Sequence, residues 1–156
     1  MQPILDSEVE EVKLLINTAI SNGHDVWVNG GSSSESISLL EHAMGLTFPM
    51  SLRNFLVNHG GLGIYDNVIS GIVSEDSLEL SGGIYADTMF LREDFPDLPK
   101  SYWVIQVHED GAYCIDTASK SRGDEFHIVN FEYGQSQIVS DSFSAFLEDK
   151  FFAPWI

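Results

Sequence analysis

The chain of 156 residues is predicted to fold as one domain that combines α-helices with β-strands. Two observations predict this class. Up to Gly60, apolar side chains recur at helical spacing between capping residues. From Gly63 onward, short runs rich in β-branched and aromatic residues alternate with turn formers. A chain of this length buries roughly 68–70% of its unfolded surface, so one apolar core is sufficient.

The first helix is predicted from Ser7 to Asn22. Ser7 and Glu10 have the spacing of a capping box, and Gly23 is suited to end the helix. Apolar side chains share one face: Val9, Val12, Ile16, Ala19 and Ile20. The polar run NGGSSSES that follows lacks the Gly-Lys-Ser/Thr ending of a phosphate-binding loop, so we expect no nucleotide there.

Two more helices are predicted before the strands. One covers Glu35 to Met44 and ends at Gly45. The next begins at Pro49, whose missing N–H costs nothing in the first turn, and Gly60 closes it in a left-handed conformation. The stretch LTFPMSLRNFLVNHGGLG is therefore interpreted as helix boundaries, not as a catalytic glycine-rich loop.

Beyond Gly63 the pattern predicts strands. GIYDNVISGIV is typical of two short strands around Asp66-Asn67, SEDSLELSGG of a polar loop, and IYADTMFLRED of a short helix. SYWVIQVHEDGAYCID predicts a hairpin with Asp110-Gly111 in its turn. EFHIVNFEY and SQIVS predict two further strands. Asp141 or Ser142 is expected to cap a last helix, and the apolar tail FFAPWI to pack back onto the domain.

The chain is strongly acidic, with 24 Asp and Glu against 7 Lys and Arg and a net charge of −17. Such a surface repels phosphate backbones and anionic membranes, so neither nucleic acid nor a membrane is an expected partner. It attracts basic proteins and accelerates their association. The alternative is that the acidity only keeps the protein soluble.

A cytoplasmic location is expected. The segment MQPILDSEVEEV lacks the basic and apolar regions of a signal peptide, and no apolar run is long enough to span a membrane. The single cysteine, Cys114, cannot form an internal disulfide. Its alternating apolar surroundings favour a buried, inert thiol over a nucleophile.

No catalytic or metal-binding spacing is present, so we expect neither enzymatic activity nor a cofactor. The histidines are scattered and form no H-E-x-x-H or H-x-x-x-H pair: His24, His42, His59, His108 and His127. Glu109 and Asp110 adjoin in a predicted hairpin turn, where side chains point in different directions. They are therefore interpreted as turn residues and not as an acid–base pair.

The order of motifs from Ser34 to Leu147 resembles the SUKH superfamily of Smi/Knr-type domains. The pattern runs from E-x-x-x-G-x-x-L/F-P through a helix ending in Asn-Gly-Gly and a later Arg. A Trp-containing strand, a D-G-x-Y-C-x-D hairpin and an S-F-x-x-F-L helix complete it. The matching residues are Glu41, Gly45, Phe48, Pro49, Phe55, Leu56, Gly60, Gly61, Arg92, Trp103, Asp110, Gly111, Tyr113, Cys114, Asp116, Ser142, Phe143, Phe146 and Leu147. His59 replaces the usual Asn, and Phe48 the commoner Leu.

This resemblance implies an α+β fold with an antiparallel sheet flanked by helices, in a single domain over residues 1–156 with an extra N-terminal helix. It also implies a non-catalytic function. Bacterial members resemble immunity proteins that bind and block a cognate toxin of a polymorphic toxin system, often a nuclease. Eukaryotic relatives regulate cell-wall synthesis, so a regulatory scaffold is the alternative.

Several motif residues are expected to serve the fold. Trp103 should pack against the helices, Asp110-Gly111 should set the register of the hairpin, and Asp116 should accept backbone hydrogen bonds. Arg92 is expected either to pair with a carboxylate inside the fold or to lie on the surface.

The candidate surface for a basic toxin domain lies between Tyr65 and Phe90, where acids and aromatic residues mix and no basic residue occurs. Interfaces favour aromatic anchors with charged rims. The alternative is a solvated loop without a special role. The candidate residues are Tyr65, Asp66, Glu75, Asp76, Glu79, Tyr85 and Asp87.

Overall fold

A computed structural model describes the backbone of residues 2–74 and 82–156, and the side chains from residue 10 onward within those ranges. In this part of the chain, helices and three-residue strands come first, and four longer strands with a C-terminal helix follow. The predicted α+β class is confirmed. The antiparallel strands are divided between a small sheet and a large sheet. The polar loop predicted over residues 74–83 lies mostly outside the described residues.

Helix α1 (Gln2–Ser21) is longer than predicted. It begins well before Ser7, so Ser7 lies inside the helix and the predicted capping box was wrong. The predicted end was right, since Gly23 follows the helix with φ +89°. Leu15, Ile16 and Ala19 are buried, whereas Ile20 is half exposed because the inner face of the helix is narrower than the sequence pattern indicated.

Helix α2 (Ser34–Met44) confirms the second predicted helix. The Ser33 hydroxyl accepts a hydrogen bond from the N–H of Ser36 at 3.1 Å and so caps the first turn. Gly45 adopts φ +72° and donates its N–H to carbonyls of the last turn. The Ser33 side chain therefore caps the start of the helix, and the left-handed conformation of Gly45 ends it.

Helix α3 (Met50–Asn58) lies between Pro49 and Gly60, as predicted. Gly60 has φ +72° and donates its N–H to the Phe55 carbonyl. A Cβ atom at Gly60 would lie 2.1 Å from the carbonyl oxygen of Gly30. Glycine is therefore required here both by the left-handed conformation and by the close approach of a second backbone segment.

The small sheet has the order β1-β2-β3, with β1 (Val26–Val28), β2 (Leu62–Ile64) and β3 (Asn67–Ile69). Strands β2 and β3 confirm the two short strands predicted around Asp66-Asn67. Strand β1 was missed, because its pairing partner β2 lies far along the chain and no turn pair like Asp66-Asn67 marks the connection. Within the sheet, Trp27 lies opposite Gly63, and Gly63 lies opposite Val68.

The large sheet has the order β4-β5-β6-β7, with β4 (Tyr102–His108), β5 (Gly111–Lys120), β6 (Phe126–Glu132) and β7 (Gln135–Ser140). The predicted hairpin corresponds to β4 and β5, and the two later predicted strands correspond to β6 and β7. The backbone N–H of Ser70 donates to the Ile105 carbonyl at 2.8 Å, which joins β4 to the end of the small sheet.

The turn of the β4–β5 hairpin is shifted by one residue from the prediction. Glu109 and Asp110 form the turn, and Gly111 pairs with His108 as the first residue of β5. A Cβ atom at Gly111 would lie 2.0 Å from the Phe131 carbonyl oxygen. Close packing against β6, and not a turn conformation, therefore requires glycine here.

Helix α4 (Ile84–Asp94) precedes the large sheet and confirms the predicted short helix. At the other end of the chain, the Ser142 hydroxyl caps α5 (Phe143–Phe146) by accepting from the N–H of Ala145. The helix continues as a π-helical segment, Leu147–Phe152, and a 3-10 turn, Ala153–Trp155. Both phenylalanines of the tail are buried, so the tail packs back as predicted.

Apolar side chains lie on both faces of the large sheet. One face packs with α1, α2, α3, α5 and the small sheet in a large core that includes Phe55, Trp103 and Ile105. The opposite face packs with Leu91 of α4 in a smaller cluster that includes Val104 and Cys114. Adjacent residues along β4 point to opposite faces of the sheet, so they contribute to two separate apolar clusters.

Candidate functional site

The β2–β3 turn places Tyr65 on the surface in a constrained conformation. Its φ of +52° is uncommon for a residue other than glycine. The Tyr65 hydroxyl lies 3.1 Å from Nδ1 of His24, and its ring centroid lies 5.3 Å from that of Trp155. His24 and Trp155 also meet, at 5.0 Å. These contacts hold the Tyr65 ring in place while 46% of the residue stays exposed.

A groove of about 510 Å³ opens beside this turn, over the small sheet. We call it the Trp27 groove; its lining includes Trp27, Asp66, Val68, Ser70, Asp87 and Val107. The Trp27 ring covers Gly63, where a Cβ atom would lie 2.2 Å from the indole Nε1. Trp27 and Val107 are partly exposed, and Asp66 is an exposed acid at the same groove. The groove therefore combines apolar walls with carboxylates.

Asp87 differs from its predicted role as an exposed acid. It is buried, its Oδ2 accepts from the Ser70 hydroxyl at 2.6 Å, and its Oδ1 accepts from the Gly82 N–H at 2.9 Å. Asp87 therefore ties the first turn of α4 to the end of the small sheet. The sequence did not show which face of α4 points inward. Asp87, which is one of several acids in this segment, was therefore interpreted as part of the charged rim of an interface.

Tyr85 also serves the fold more than the surface. It is half-buried, and its ring stacks on Trp103 with centroids 6.2 Å apart and planes inclined at 30°. Less of Tyr85 than of Tyr65 is exposed, so Tyr85 offers a partner a smaller contact area. Of the other predicted residues, Glu75, Asp76 and Glu79 lie outside the described residues and remain predictions from sequence.

Glu41 organises the connection between α2 and α3. Its carboxylate accepts from the Phe48 N–H at 2.7 Å and lies 2.5 Å from a guanidinium nitrogen of Arg53. The carboxylate is largely buried, so these bonds compensate for the loss of water. The structural role implied for Glu41 by the family pattern is therefore physically accounted for.

Trp103 is buried and packs against α4, as expected. Arg92 from the same helix places its guanidinium 4.6 Å from the Trp103 ring centroid and donates to the Lys100 carbonyl at 3.1 Å. This cation–π contact differs from both arrangements expected for Arg92, because an aromatic face takes the place of a carboxylate.

Asp116 stabilises the backbone near the middle of β5, as predicted. Its Oδ1 accepts from the Ala118 N–H and from the Ser101 hydroxyl, both at 3.0 Å. Phe143, the first residue of α5, is buried with its ring 5.2 Å from that of Phe55. These motif residues therefore hold elements together at a distance from the Trp27 groove.

Two buried titratable groups are stabilised in their neutral forms. Burial, with a smaller contribution from Asp116, raises the pKa of the Cys114 thiol to about 12. Burial, followed by the positive charge of Lys13, lowers the pKa of His59. Neither group belongs to a candidate metal site, since the side chains described in residues 10–74 and 82–156 include no group of three His, Cys, Asp or Glu that could hold a metal ion.

None of the helices in the described part of the chain has an apolar run long enough to cross a membrane.

The comparison with known families agrees with the motif order. A family model described as "SMI1-KNR4 cell-wall" matches residues 12–152. The chain belongs to the SUKH superfamily. The resemblance inferred for Ser34 to Leu147 is thereby confirmed, and the match of this SUKH chain extends into α1 and the C-terminal tail.

A relative is found among curated bacterial proteins. The SUKH chain is 32% identical over 92 residues to the Bacillus subtilis (strain 168) protein named "Uncharacterized protein YnaB". The aligned part covers 59% of this chain and 55% of that protein, so the chain matches about half the length of the relative.

Proposed function

We propose that this SUKH protein is a non-catalytic immunity protein of the bacterial cytoplasm. It binds a cognate toxin of a polymorphic toxin system and blocks the toxin by covering its basic substrate groove. The observation that carries the proposal is the combination of SUKH membership with a net charge of −17. Bacterial SUKH proteins resemble immunity proteins, and the charge specifies the kind of toxin domain that would fit.

Acidic side chains greatly outnumber basic ones in this protein. With 24 acids and 7 Lys and Arg, most carboxylates have no basic side chain to neutralise them. A nuclease that binds phosphates carries the opposite charge in its substrate groove. Complementary potentials accelerate encounter and exclude acidic partners. Because the toxin's substrate groove is basic, an acidic inhibitor that binds there associates quickly and discriminates against acidic proteins.

The Tyr65 surface supports the same function. Binding energy concentrates in a few aromatic anchors near the centre of an interface. A ring that is already held by His24 and Trp155 loses little conformational entropy when a partner covers it. Tyr65 and the neighbouring Trp27 groove therefore form the best-prepared contact surface in the described part of the chain.

The second candidate is a regulatory scaffold that binds a cellular protein. The family description "cell-wall" favours it. The two functions differ in the partner and not in the chemistry of the chain, since neither requires catalysis. Capture of the partner from the source cell, followed by mass spectrometry, separates them: a toxin encoded beside this gene supports immunity, and a housekeeping protein supports the scaffold.

The decisive experiment is surface plasmon resonance against the product of the neighbouring gene at several salt concentrations. Added salt should slow association far more than it alters dissociation. Replacing Glu75, Asp76 and Glu79 with Gln, Asn and Gln should slow association further. Exposed acids at the end of α4 and just beyond it provide the matched control with the same loss of charge: Glu93→Gln, Asp94→Asn and Asp97→Asn.

Tyr65→Ala should mainly speed dissociation, because an anchor contributes after encounter. Tyr133→Ala is its control, since Tyr133 also occupies a hairpin turn with φ +52° and is 75% exposed. Tight binding with a salt-independent association rate would refute the electrostatic mechanism. Absence of binding to any encoded toxin, with a housekeeping protein captured instead, would refute the immunity function.

A further inference from the structure

We propose that the Trp27 groove binds an arginine side chain of the basic partner. The identity of that partner rests on the proposed function, whereas the chemistry of the groove can be tested without it. Three features carry the inference: an aromatic face supported by a glycine, carboxylates in an apolar setting, and the absence of basic side chains among the described residues that line the groove.

The first feature is the way Trp27 is positioned. Trp27, Gly63 and Val68 form one row across the three strands, so their side chains share a face of the small sheet. Because Gly63 has no side chain, the indole lies directly over its backbone, with the Cβ position 2.2 Å from Nε1 and 2.3 Å from Cε2. Gly63 therefore leaves the space that the indole occupies, and Trp27 lines the groove with 42% of the residue exposed.

A guanidinium suits such a ring better than an apolar group does. Arginine stacks flat on tryptophan, and the contact strengthens when water is excluded. The protein already contains this geometry, since the Arg92 guanidinium lies 4.6 Å from the centroid of Trp103. At Trp27 no such cation is supplied by the residues that line the groove. The partner would supply it.

The second feature is the charge that accompanies the ring. Asp66 lies exposed at the groove, and the buried Asp87 carboxylate is held by Ser70 and Gly82 in the same lining. Within the described part of the chain, the Asp66 carboxylate accepts no hydrogen bond of the kind that holds Asp87, so both of its oxygens are open to a planar guanidinium, which can bond them at once. A lysine ammonium lacks both the flat face and the paired donors.

The alternative occupant is an apolar side chain, because Val68 and Val107 also line the groove. Such an occupant would cover Asp66 and Asp87 without compensating their charge, which is unfavourable. An arginine stem can contact the valines while its head reaches the carboxylates. Together, the valines and carboxylates that line the groove therefore fit a long side chain with an apolar stem and a planar cationic head.

The first test uses the whole chain, labelled with ¹⁵N, and N-acetyl-arginine-N-methylamide as the probe. The indole N–H signal of Trp27 is assigned by its loss in Trp27→Phe. We expect a saturable shift of this signal and little change at the Trp155 indole. The lysine and leucine analogues of the probe should shift it much less. An absent response at Trp27, or an equal response to the lysine or leucine analogue, would overturn the assignment.

Gly63→Ala offers a sharper variant because it keeps Trp27 but displaces its ring. The added Cβ would lie 2.2 Å from the indole Nε1, so the ring, which belongs to a residue that is 42% exposed, has to shift. We expect arginine-probe binding to weaken by about tenfold or more, the effect of losing an interaction of hot-spot size. Asp66→Asn should weaken it as well, without changing the size of the side chain.

Matched controls remove an aromatic ring or a charge elsewhere. Phe90→Ala removes an exposed ring from α4, and Asp149→Asn removes an acid from a separate surface hollow beside Arg122. Both should leave arginine-probe binding unchanged, and thermal melts should show that every variant remains folded. Equal losses in the controls and in the groove variants would overturn the proposal.

The two proposals fail separately. Toxin binding that persists while the arginine probe leaves Trp27 unaffected would overturn the groove assignment and leave immunity intact. A clear arginine response in a protein that captures no toxin would overturn immunity and leave the groove assignment intact.

Discussion

Phe55 provides the most direct test of how the core is assembled. It lies in the middle of α3 with only 2% of its surface exposed. Its ring contacts Phe143 of α5 edge-on at 5.2 Å and lies 5.8 Å from the ring of His59. Val12 of α1 and Leu147 line a small hollow beside it. Side chains from α1 and from α5 with its π-helical continuation therefore pack around the ring of Phe55.

Phe55→Ala is expected to lower the free energy of unfolding by about 3–5 kcal/mol. The loss combines the transfer of a buried ring with the cavity that remains. Because the surrounding groups belong to different helices, collapse into the cavity would require whole helices to move. The contact with Phe143 contributes about 0.5–1.5 kcal/mol of this total, which a double-mutant cycle with Phe143→Ala would measure.

Urea unfolding followed by circular dichroism gives the measurement. The total stability of a domain of this kind is about 5–15 kcal/mol, so the variant should unfold at much lower urea and remain measurable at low temperature. Val57→Ala on the same helix is the control; Val57 is 47% exposed and should change stability by less than about 0.5 kcal/mol. A loss below about 1 kcal/mol for Phe55→Ala would refute the buried position.

Three further predictions follow from charge and burial. Cys114, whose pKa is raised to about 12, should not react with a thiol reagent at pH 8 in the folded protein and should react once urea unfolds it; rapid reaction of the native thiol would contradict its burial. The pKa of His59 is lowered below its ordinary 6.5, because the folded protein favours the neutral imidazole. The contribution of neutral His59 to the free energy of unfolding is therefore complete above pH 6.5, and it is lost as the pH falls through the lowered pKa. Wild type should therefore lose more unfolding free energy than His59→Gln between pH 7 and pH 5, and parallel pH profiles would argue against this. The melting temperature should rise from low to moderate sodium chloride, because the 24 acids repel one another and salt of about 0.1 M screens charges over about 10 Å; a flat or falling trend would indicate that the acids are already paired.

The helix boundaries of the first half could be predicted because they depend on local chemistry. Gly45 and Gly60, which were predicted to end α2 and α3, donate their N–H groups to carbonyls only a few positions away. The start of α1 could not be predicted in the same way. Its first turns precede Ser7, whose apparent capping spacing occurs within the helix. A cap pattern therefore marks the start of a helix only where the chain before it is not helical, as at Ser142 before α5.

Glycine positions show the limit of local reasoning. Gly111 was predicted as a turn residue, but contact with the Phe131 carbonyl requires its small size. Gly63 gave no sequence signal at all, although it determines where the Trp27 ring lies. Both requirements come from residues far along the chain, so no local pattern could reveal them.

The candidate surface was predicted only in part for the same reason. Tyr65 and Asp66 are exposed as expected, because a hairpin turn between two short strands lies at the surface. Asp87 and Tyr85 face inward, since the packing of α4 against β4 decides which side of the helix is covered. Trp27 was missed, because its partners at Gly63 and Val68 are brought to it by strand pairing.

The sequence by itself determined the acidic character of this protein, its α+β class, most of its element boundaries and its SUKH membership. These properties depend on composition, on periodicity within short segments and on the order of motifs along the chain. Tertiary structure alone decided the addition of β1 to the small sheet, the inward orientation of Asp87, the cation–π contact of Arg92 and the Trp27 groove. Each of these arises where residues distant in sequence meet, and the free energy of such contacts depends on geometry that only the folded chain supplies.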